Sequence, residues 1–340
     1  MLKKVKLDNA IGLVIGHDMT KVVPGKFKGP MFRRGHVITK EDIPELRLMG
    51  KEHIYIIENE EGWVHEEEAA LRIARAVSGP EMRLTDPKEG GVSIISTTNG
   101  VLKLNRTLLK EINSIKDIAL ATRHDNTLCP PGTIVASTKI IPLGIAEAVL
   151  VRIEELCRQQ GKVLRIIPLK KKKVGVIVTG TEIFKGLIKD KFVETIKKKV
   201  EALGSMISQQ TIVPDDEELI GEMIKDMVED GAEVIFVAGG LSVDPDDVTA
   251  EGVAKSGAEI ISHGAPVMPG AMFLYAVLGD IPILGAPGAV IAHRTTIIDL
   301  ILPRLLAGVG VSRRDIIEFG NGGLCLECDN CVFPVCPFGR

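Results

Sequence analysis

The pattern of apolar and polar positions is most regular between Lys173 and Asp247. Two short runs of mostly β-branched residues, 174–178 and 234–238, each lead to a glycine turn, which is typical of buried parallel strands that feed helices. Between them, apolar residues recur at helical spacing in two segments that end at Gly204 and Gly231. This pattern predicts an α/β domain with a mostly parallel sheet and helices on both faces.

The same reading extends through the rest of this domain. A strand over 205–213 ends at Pro214-Asp215-Asp216, whose acids are suited to start a helix. Beyond the second glycine turn, the pattern predicts a helix over 248–256, a strand over 259–262, a hairpin formed by 272–277 and 281–284, and one long helix from Ala289 to Gly308.

The preceding residues predict an α+β region with a small inserted β domain. Residues 10–25 read as a strand pair interrupted by glycine, and helices are expected over 65–79 and 145–160. Asn99-Gly100 lies between the alternating segments 91–97 and 101–104, which favours a β-hairpin. We therefore predict four parts, which are 1–81 with 143–170 as an α+β scaffold, 82–142 as a small β domain, 171–310 as the α/β domain, and 311–340 as a cysteine-rich tail.

Composition narrows the class of protein. Lys plus Arg is 42, Asp plus Glu is 45, and the net charge is -3, so the chain has no general attraction to nucleic acid or to anionic membrane. No apolar run approaches the roughly 20 residues that a membrane helix needs. A cytoplasmic location is the expectation, and an anionic ligand would have to be held locally.

Glycine or acidic turns follow four predicted strands, at Thr179-Gly180, Pro214-Asp215, Gly239-Gly240 and Pro287-Gly288. Carboxyl ends of parallel strands meet at one edge of a sheet, so at least the first three turns should lie together. They would offer backbone N–H groups, the hydroxyls of Thr179, Thr181, Ser242 and Thr249, and carboxylates able to hold Mg²⁺. This combination favours a phosphorylated ligand bound with a metal ion.

The ordered motifs of these turns resemble the molybdopterin-binding domain family over about residues 173–308. They are Thr179-Gly180-Thr181-Glu182, Asp215-Asp216-Glu217, Gly239-Gly240-Leu241-Ser242 with Asp246-Asp247-Val248-Thr249, Pro269-Gly270 and Pro287-Gly288. The preceding 170 residues are similar, less sharply, to the amino-terminal domains of the molybdopterin molybdotransferases. The resemblance implies a homodimeric protein of molybdenum cofactor biosynthesis that binds molybdopterin or its adenylate and, as a Mg-dependent transferase, inserts molybdate.

The resemblance also implies site residues. Asp246 and Asp247 would hold Mg²⁺ and assist cleavage of the adenylate. The pterin ligand would be bound by Thr179, Gly180, Thr181, Glu182, Asp215, Gly239, Gly240, Ser242, Thr249, Pro269, Gly270, Pro287 and Gly288. Ala271 stands where the family carries lysine after Pro-Gly, and a positioned charge of this kind often carries much of the rate. The missing lysine therefore counts against molybdate insertion but not against binding of the pterin.

Four of the six cysteines lie in the last sixteen residues, at Cys325, Cys328, Cys331 and Cys336, with Pro337 next. The spacing is close to the ferredoxin run, with one extra residue before the last cysteine, and four thiolates also suit zinc. We predict a metal centre, either an iron–sulfur cluster or zinc, against the alternative of a flexible tail with redox-active thiols. Cys129 and Cys157 are expected to be ordinary buried or semi-exposed thiols.

Two other functions fit the sequence. One is a non-catalytic carrier or sensor of molybdopterin whose tail docks on a molybdoenzyme. The other is a nucleotide pyrophosphatase, because Gly239-Gly240-Leu241 with Asp246-Asp247-Val248-Thr249 also resembles the competence-damage-inducible family. In that family the related domain usually opens the chain, whereas here about 170 residues precede it.

Overall fold

The computed structural model describes residues 2–23, 27–57, 62–242 and 244–339. The chain divides into two compact units, Met1–Thr98 with Leu102–Asp125 and Cys129–Ile166, and Asn99–Val101 with Asn126–Leu128 and Ile167–Arg340. Pro24 and Gly25, at the end of the predicted strand pair, lie outside the described residues. In the described ranges, no helix is both long enough and apolar enough to cross a membrane.

The first half of the chain mixes short strands and helices. A 3-10 turn at Leu7–Asn9 follows the first strand. The elements are β1 Leu2–Lys6, β2 Met19–Val23, β3 Phe27–Phe32, α1 Asp42–Leu48, β4 His53–Ile57, β5 Trp63–His65, α2 Glu66–Val77, β6 Met82–Leu84, β7 Gly91–Ser96, β8 Gly100–Leu104, α3 Arg106–Asn113, β9 Ile118–Thr122, β10 Leu128–Cys129, β11 Ile134–Ile140, β12 Gly144–Ala146, α4 Glu147–Gln160 and β13 Leu164–Pro168.

The hairpin predicted at Asn99-Gly100 is wrong. Strand β7 pairs with β6 and β11 in a four-stranded sheet, whereas β8 lies between β10 and β13 in another sheet. The Ser96 hydroxyl donates to the Thr98 carbonyl at 2.7 Å, and the Thr97 N–H donates to the Glu81 carbonyl at 2.9 Å. The residues that follow β7 therefore bond to Thr98 and Glu81 and form no hairpin ladder with β8.

Two hydrophobic clusters fill the first unit. One, from Leu7 to Ile56, surrounds α1 and β4, and the other extends from Val64 to Ile166. The second cluster joins side chains of α2 and α4 to those of the four-stranded sheet within 82–142. The predicted domain boundaries at 81, 142 and 170 stay predictions, but the segment 82–142 shares its core with the helices on either side of it.

The second half of the chain alternates strands and helices. Its elements are β14 Lys173–Thr179, α5 Thr181–Phe184, α6 Phe192–Ala202, β15 Met206–Val213, α7 Glu217–Glu229, β16 Val234–Ala238, α8 Thr249–Lys255, β17 Glu259–His263, β18 Leu274–Leu278, β19 Ile281–Ala286, α9 Ala289–Ala292, α10 Ile297–Leu306 and α11 Arg313–Glu318.

These strands form one six-stranded sheet in the order β15-β14-β16-β19-β18-β17. The pairs β14 with β15, β14 with β16 and β16 with β19 are parallel, while β18 is antiparallel to both β19 and β17. The predicted mostly parallel sheet is confirmed, and so is the hairpin of β18 and β19.

Helices cover both faces of this sheet, because alternate side chains of each buried strand point in opposite directions. Val174, Val176 and Val178 of β14 pack in one core cluster with α6 and α10. Ile177 of the same strand packs in another cluster with α7 and α8. The strands are buried on both sides, which explains their nearly continuous apolar sequence.

The single long helix predicted from Ala289 to Gly308 is wrong. Helix α9 ends at Ala292, and α10 begins after an extended Thr296 (φ -140°, ψ -176°). Thr296 and Asp299 form a capping box in which the Thr296 N–H donates to the Asp299 carboxylate at 2.8 Å. This box is a start signal for a new helix.

Candidate functional site

The carboxyl ends of four parallel strands lie side by side at one edge of the sheet. Thr179 pairs in register with Val213, Val178 with Ala238, and Ala238 with Ala286. The turns that follow β14, β15, β16 and β19 therefore meet at this edge, the fourth one included.

These turns surround a cavity of 480 Å³, here called the rim cavity. Eleven of the residues predicted as ligand or metal contacts line it: Thr179, Gly180, Glu182, Asp215, Gly239, Gly240, Ser242, Asp247, Gly270, Pro287 and Gly288. The size lies within the range of small-molecule sites. Residues from Thr179 to Gly288 are thus brought together by the sheet order alone.

The turn after β16 requires glycine twice. Gly239 has φ 104° and Gly240 has φ 55°. A Cβ atom on Gly239 would lie 2.4 Å from the Thr179 carbonyl oxygen, and one on Gly240 would lie 2.6 Å from the Thr249 hydroxyl. Close approach between the ends of β14 and β16 therefore excludes side chains here and leaves backbone exposed to the cavity.

The hydroxyls of Thr179 and Thr249 hold this turn from inside. They lie 3.0 Å apart, and the Thr249 hydroxyl donates to the Gly239 carbonyl at 2.9 Å. Both side chains are buried, and Thr249 does not line the rim cavity. The structure therefore gives these two predicted ligand hydroxyls a structural partner in each other.

Three carboxylates lie at the rim cavity. Asp247 accepts the Ser242 N–H at 2.9 Å, and Asp215 accepts the Thr181 N–H at 2.8 Å. Glu182 folds over Gly180, where a Cβ atom would lie 3.3 Å from its carboxylate. No Lys, Arg or His side chain is among the described residues that line this cavity. The described lining of the rim cavity therefore carries acidic side chains and no basic ones.

Four predicted site residues do not line the rim cavity. Thr181 braces the turn instead, because its hydroxyl accepts the Asp215 N–H at 3.3 Å. Asp246 is exposed, and its N–H donates to Asp244 at 3.2 Å. Pro269 precedes the lining residue Gly270, and Thr249 lies behind the glycine turn. Of the predicted acidic pair, only Asp247 faces the cavity.

The apolar wall of the rim cavity was not predicted. It includes Ile183, Phe192, Leu241 and Met272. Phe192 has the spacing of a core residue on α6, and it is also part of the main cluster of that face. Helical periodicity cannot distinguish a core side chain from one that reaches a cavity at the end of the helix.

A comparison with known families assigns this domain. Residues 175–307 match the family described as a probable molybdopterin binding domain. Residues 175–307 belong to the molybdopterin-binding domain family. The rim cavity lies wholly within this molybdopterin-binding domain. Residues 4–58 match a second family, described as a domain of unknown function.

Curated relatives match only part of the chain. A CinA-like protein of Mycobacterium tuberculosis is 32% identical over 83 residues, which are 24% of this chain and 19% of that protein. A protein of Archaeoglobus fulgidus is 33% identical over 81 residues, 24% of this chain and 35% of that protein. The chain thus aligns with about a fifth to a third of the length of these relatives.

Solved structures with distant likeness include two from molybdopterin biosynthesis. The MoeA protein of Pyrococcus horikosii is 15% identical, with a TM-score of 0.35, and the match covers 91% of this chain and 75% of that one. MoaB of Thermus thermophilus is 18% identical, with a TM-score of 0.33, and covers 40% of this chain and 97% of its own.

The cysteine tail lies beyond the molybdopterin-binding domain and packs against it. Phe338 is buried in the same core cluster as α6 and α10, and Cys325 and Cys336 pack on that cluster. Two hydrogen bonds lower the pKa of the Cys331 thiol. The bond with the Thr295 side chain has the larger effect, and the bond with the Phe333 backbone has the smaller one. Cys129 and Cys157 are buried in the first unit, as expected.

Two metal centres were predicted, Mg²⁺ at Asp246 and Asp247 and an iron–sulfur cluster or zinc at the tail cysteines. Across the described ranges, no three His, Cys, Asp or Glu side chains lie close enough together to hold one metal ion. A second cavity, of 290 Å³, is lined by all four tail cysteines. A third, of 590 Å³, runs along α6 and α10 and includes Lys199, whose ammonium is paired with Asp299 at 2.8 Å.

Proposed function

We propose that this protein acts in molybdenum cofactor biosynthesis and binds molybdopterin or its adenylate in the rim cavity. The observation that carries the proposal is the convergence of Gly180, Gly239, Gly240 and Asp247 on one cavity inside a domain of the molybdopterin-binding family. The backbone of Gly239 and Gly240, which no side chain covers, leaves room for a phosphate, and the apolar wall suits the flat pterin.

We expect Mg²⁺ to bind in the rim cavity together with the ligand's phosphate. A phosphate placed among Glu182, Asp215 and Asp247, with no cationic side chain among the described lining residues, would be repelled unless a bound cation intervened. Mg²⁺ is usually held by one or two carboxylates together with substrate phosphates. We assign Asp247 and Glu182 to this role. Asp215 instead braces the turn, because its carboxylate accepts the Thr181 N–H and its own N–H donates to the Thr181 hydroxyl.

Binding is the core of the proposal and metal insertion is its extension. Ala271, which stands where the resembling family has lysine, lines the rim cavity, so the charge that would stabilise an oxyanion is missing at this position. In this chain Mg²⁺ would supply that charge when bound, and Asp247 would orient it. A transferase activity with molybdate therefore depends on the metal more strongly than binding does.

The decisive experiment is an assay for bound pterin. The full-length protein should yield a fluorescent pterin after oxidation, or bind added molybdopterin in the presence of Mg²⁺. Asp247→Asn should weaken this binding by roughly tenfold or more, the loss expected for one charge-assisted contact. Asp280→Asn, an exposed change in the β18–β19 turn, is the matched control. Absence of pterin and no binding of added molybdopterin would rule the proposal out.

A nucleotide pyrophosphatase is the second candidate, favoured by the identity with the CinA-like protein of Mycobacterium tuberculosis. Under this alternative the rim cavity would hold a dinucleotide, and ADP-ribose would be the probe. Cleavage of ADP-ribose without pterin binding would replace the first proposal by this one. Tight pterin binding with no turnover of either substrate would identify a carrier or sensor.

The homodimer, the molybdoenzyme partner and the cytoplasmic location remain predictions from sequence. Each has a direct measurement, namely the mass in solution, co-purification with a molybdoenzyme, and fractionation of cells.

A further inference from the structure

The four tail cysteines face a common space. Cys325, Cys328, Cys331 and Cys336 all line the cavity of 290 Å³, here called the cysteine cavity. Their neighbours in its wall are Leu324, Val332, Phe333, Phe338 and the segment 292–295. Sequence spacing alone could not show that the fourth cysteine, five residues after the third, returns to the other three.

Backbone contacts fix both ends of this tail. The Met268 N–H donates to the Gly323 carbonyl and the Cys325 N–H donates to the Met268 carbonyl, both at 2.8 Å. The Gly339 N–H donates to the Gly322 carbonyl at 2.9 Å, which closes residues 322–339 into a loop. Phe338, 3% exposed, anchors that loop in the core. The thiols are therefore presented by a packed loop rather than by a free tail.

The arrangement favours a polynuclear centre over a single ion. Structural zinc needs four ligands about 2.3 Å from one point. The four tail cysteines instead border a cavity of 290 Å³, which is more space than one such ion fills. An iron–sulfur cluster also takes four thiolates but places several atoms between them. Apolar neighbours such as Phe333 and Phe338 are suited to limit the access of water to such a centre.

We infer that Cys325, Cys328, Cys331 and Cys336 ligate an iron–sulfur cluster in the cysteine cavity. The cysteines would therefore hold a cluster rather than zinc, the other metal centre that the sequence left open. The cluster does not depend on the identity of the ligand in the rim cavity.

The cluster would lie beside the rim cavity. Helix α9 forms part of both walls, because Ala289 lines the rim cavity and Ala292 lines the cysteine cavity. Met268, which bonds the tail, comes two residues before Gly270 of the rim cavity. Ala289 and Ala292 are three residues apart, which is about 4.5 Å of rise along α9.

The test uses the full-length protein purified without oxygen. We expect about two or four irons per chain with a matching amount of acid-labile sulfide. A visible charge-transfer band should bleach on reduction with dithionite. If the protein is isolated without metal, reconstitution with ferrous iron and sulfide should give the same result. Stoichiometric zinc without iron, or no metal after reconstitution, overturns the inference.

Cysteine variants give the second arm of the test. Cys328→Ser changes an exposed side chain, so the fold should be unaffected, while bound iron should fall by roughly tenfold or more. Cys157→Ser, in the first unit, should keep its full iron content and serves as control. Iron retained by Ser variants of all four tail cysteines would contradict the assignment.

The far-UV circular dichroism and the urea midpoint of each variant separate loss of the cluster from loss of the fold. The Asp247→Asn protein keeps this test distinct from the proposed function. It should lose pterin binding and retain iron.

Discussion

At the scale of single residues, the rim cavity depends on positions that carry no side chain. Gly239 and Gly240 allow the end of β16 to lie against Thr179 and Thr249. The paired hydroxyls of those threonines satisfy buried polar atoms that the close approach would otherwise leave without partners. Thr179 and Thr249, which the sequence suggests as ligand contacts, thus support the turn that borders the rim cavity.

Gly239→Ala should destabilise the second unit by about 1–3 kcal/mol. Its Cβ atom would meet the Thr179 carbonyl oxygen at 2.4 Å, and its φ of 104° is a conformation that side chains resist. The measurement is the urea midpoint of the full-length protein.

Gly310→Ala is the matched control for this change. Gly310 has open space around a Cβ atom and no left-handed φ, so its effect should stay within about 0.5 kcal/mol. Equal effects of the two substitutions would show that close approach does not explain the glycine turn.

At the scale of elements, capping residues set where the helices near the end of the chain begin. The capping box of Thr296 and Asp299 starts α10, and the same type of box, Ser312 with Asp315, starts α11. Between α9 and α10, segment 293–295 is left free of helix and lines the cysteine cavity. The break that the apolar pattern failed to predict therefore contributes wall residues to the second site.

Asp315 also ties α11 to α10 through Arg304, which is 4% exposed and lies 2.8 Å away. Burial raises the pKa of Asp315, but hydrogen bonds from Ser312 and Arg304 outweigh it and lower this pKa to about 2. Because the folded-state pKa is below the ordinary value of 3.8, the stabilisation is present above about pH 4 and is lost as the pH falls toward 2.

Asp315→Asn should therefore cost about 1–3 kcal/mol at pH 7, since it leaves the buried Arg304 charge without a counterion. The gap to the unchanged protein should stay constant down to about pH 5 and narrow below about pH 4. Denaturant titrations across this range measure it, with Asp280→Asn as the exposed control. A gap that does not depend on pH would exclude the ion pair as its source.

At the scale of the whole molecule, the rim cavity lies at one edge of one sheet. Parallel strands β15, β14, β16 and β19 deliver turns that are more than a hundred residues apart in sequence, from Gly180 to Gly288, to the same cavity. A ligand that binds several of these turns together should stabilise the second unit as a whole.

We expect molybdopterin with Mg²⁺, at a hundredfold excess over its dissociation constant, to stabilise that unit by about 2.7 kcal/mol. Hydrogen exchange should slow at residues 239–241, which line the rim cavity, and should not change in α2 or α4 of the first unit. Mass spectrometry of exchanged peptides measures both. Equal protection in the two units, or protection without Mg²⁺, would contradict the assigned geometry.

The sequence by itself determined that residues 171–310 form a mostly parallel α/β domain. Its short apolar, β-branched runs, each followed by a glycine turn, are typical of strands that are buried on both faces. The sequence also identified most residues of the rim cavity, because glycine or aspartate follows the predicted strands at Gly180, Gly239 and Asp215.

Only the tertiary structure decided which neighbours those residues have. It paired β7 with β11 instead of β8, placed Thr249 behind the glycine turn and Asp247 at the rim cavity, and brought Cys336 to the cavity of the other tail cysteines. Local pattern fixes the conformation of a segment, whereas strand partners and the direction of a side chain depend on contacts between residues far apart in the chain.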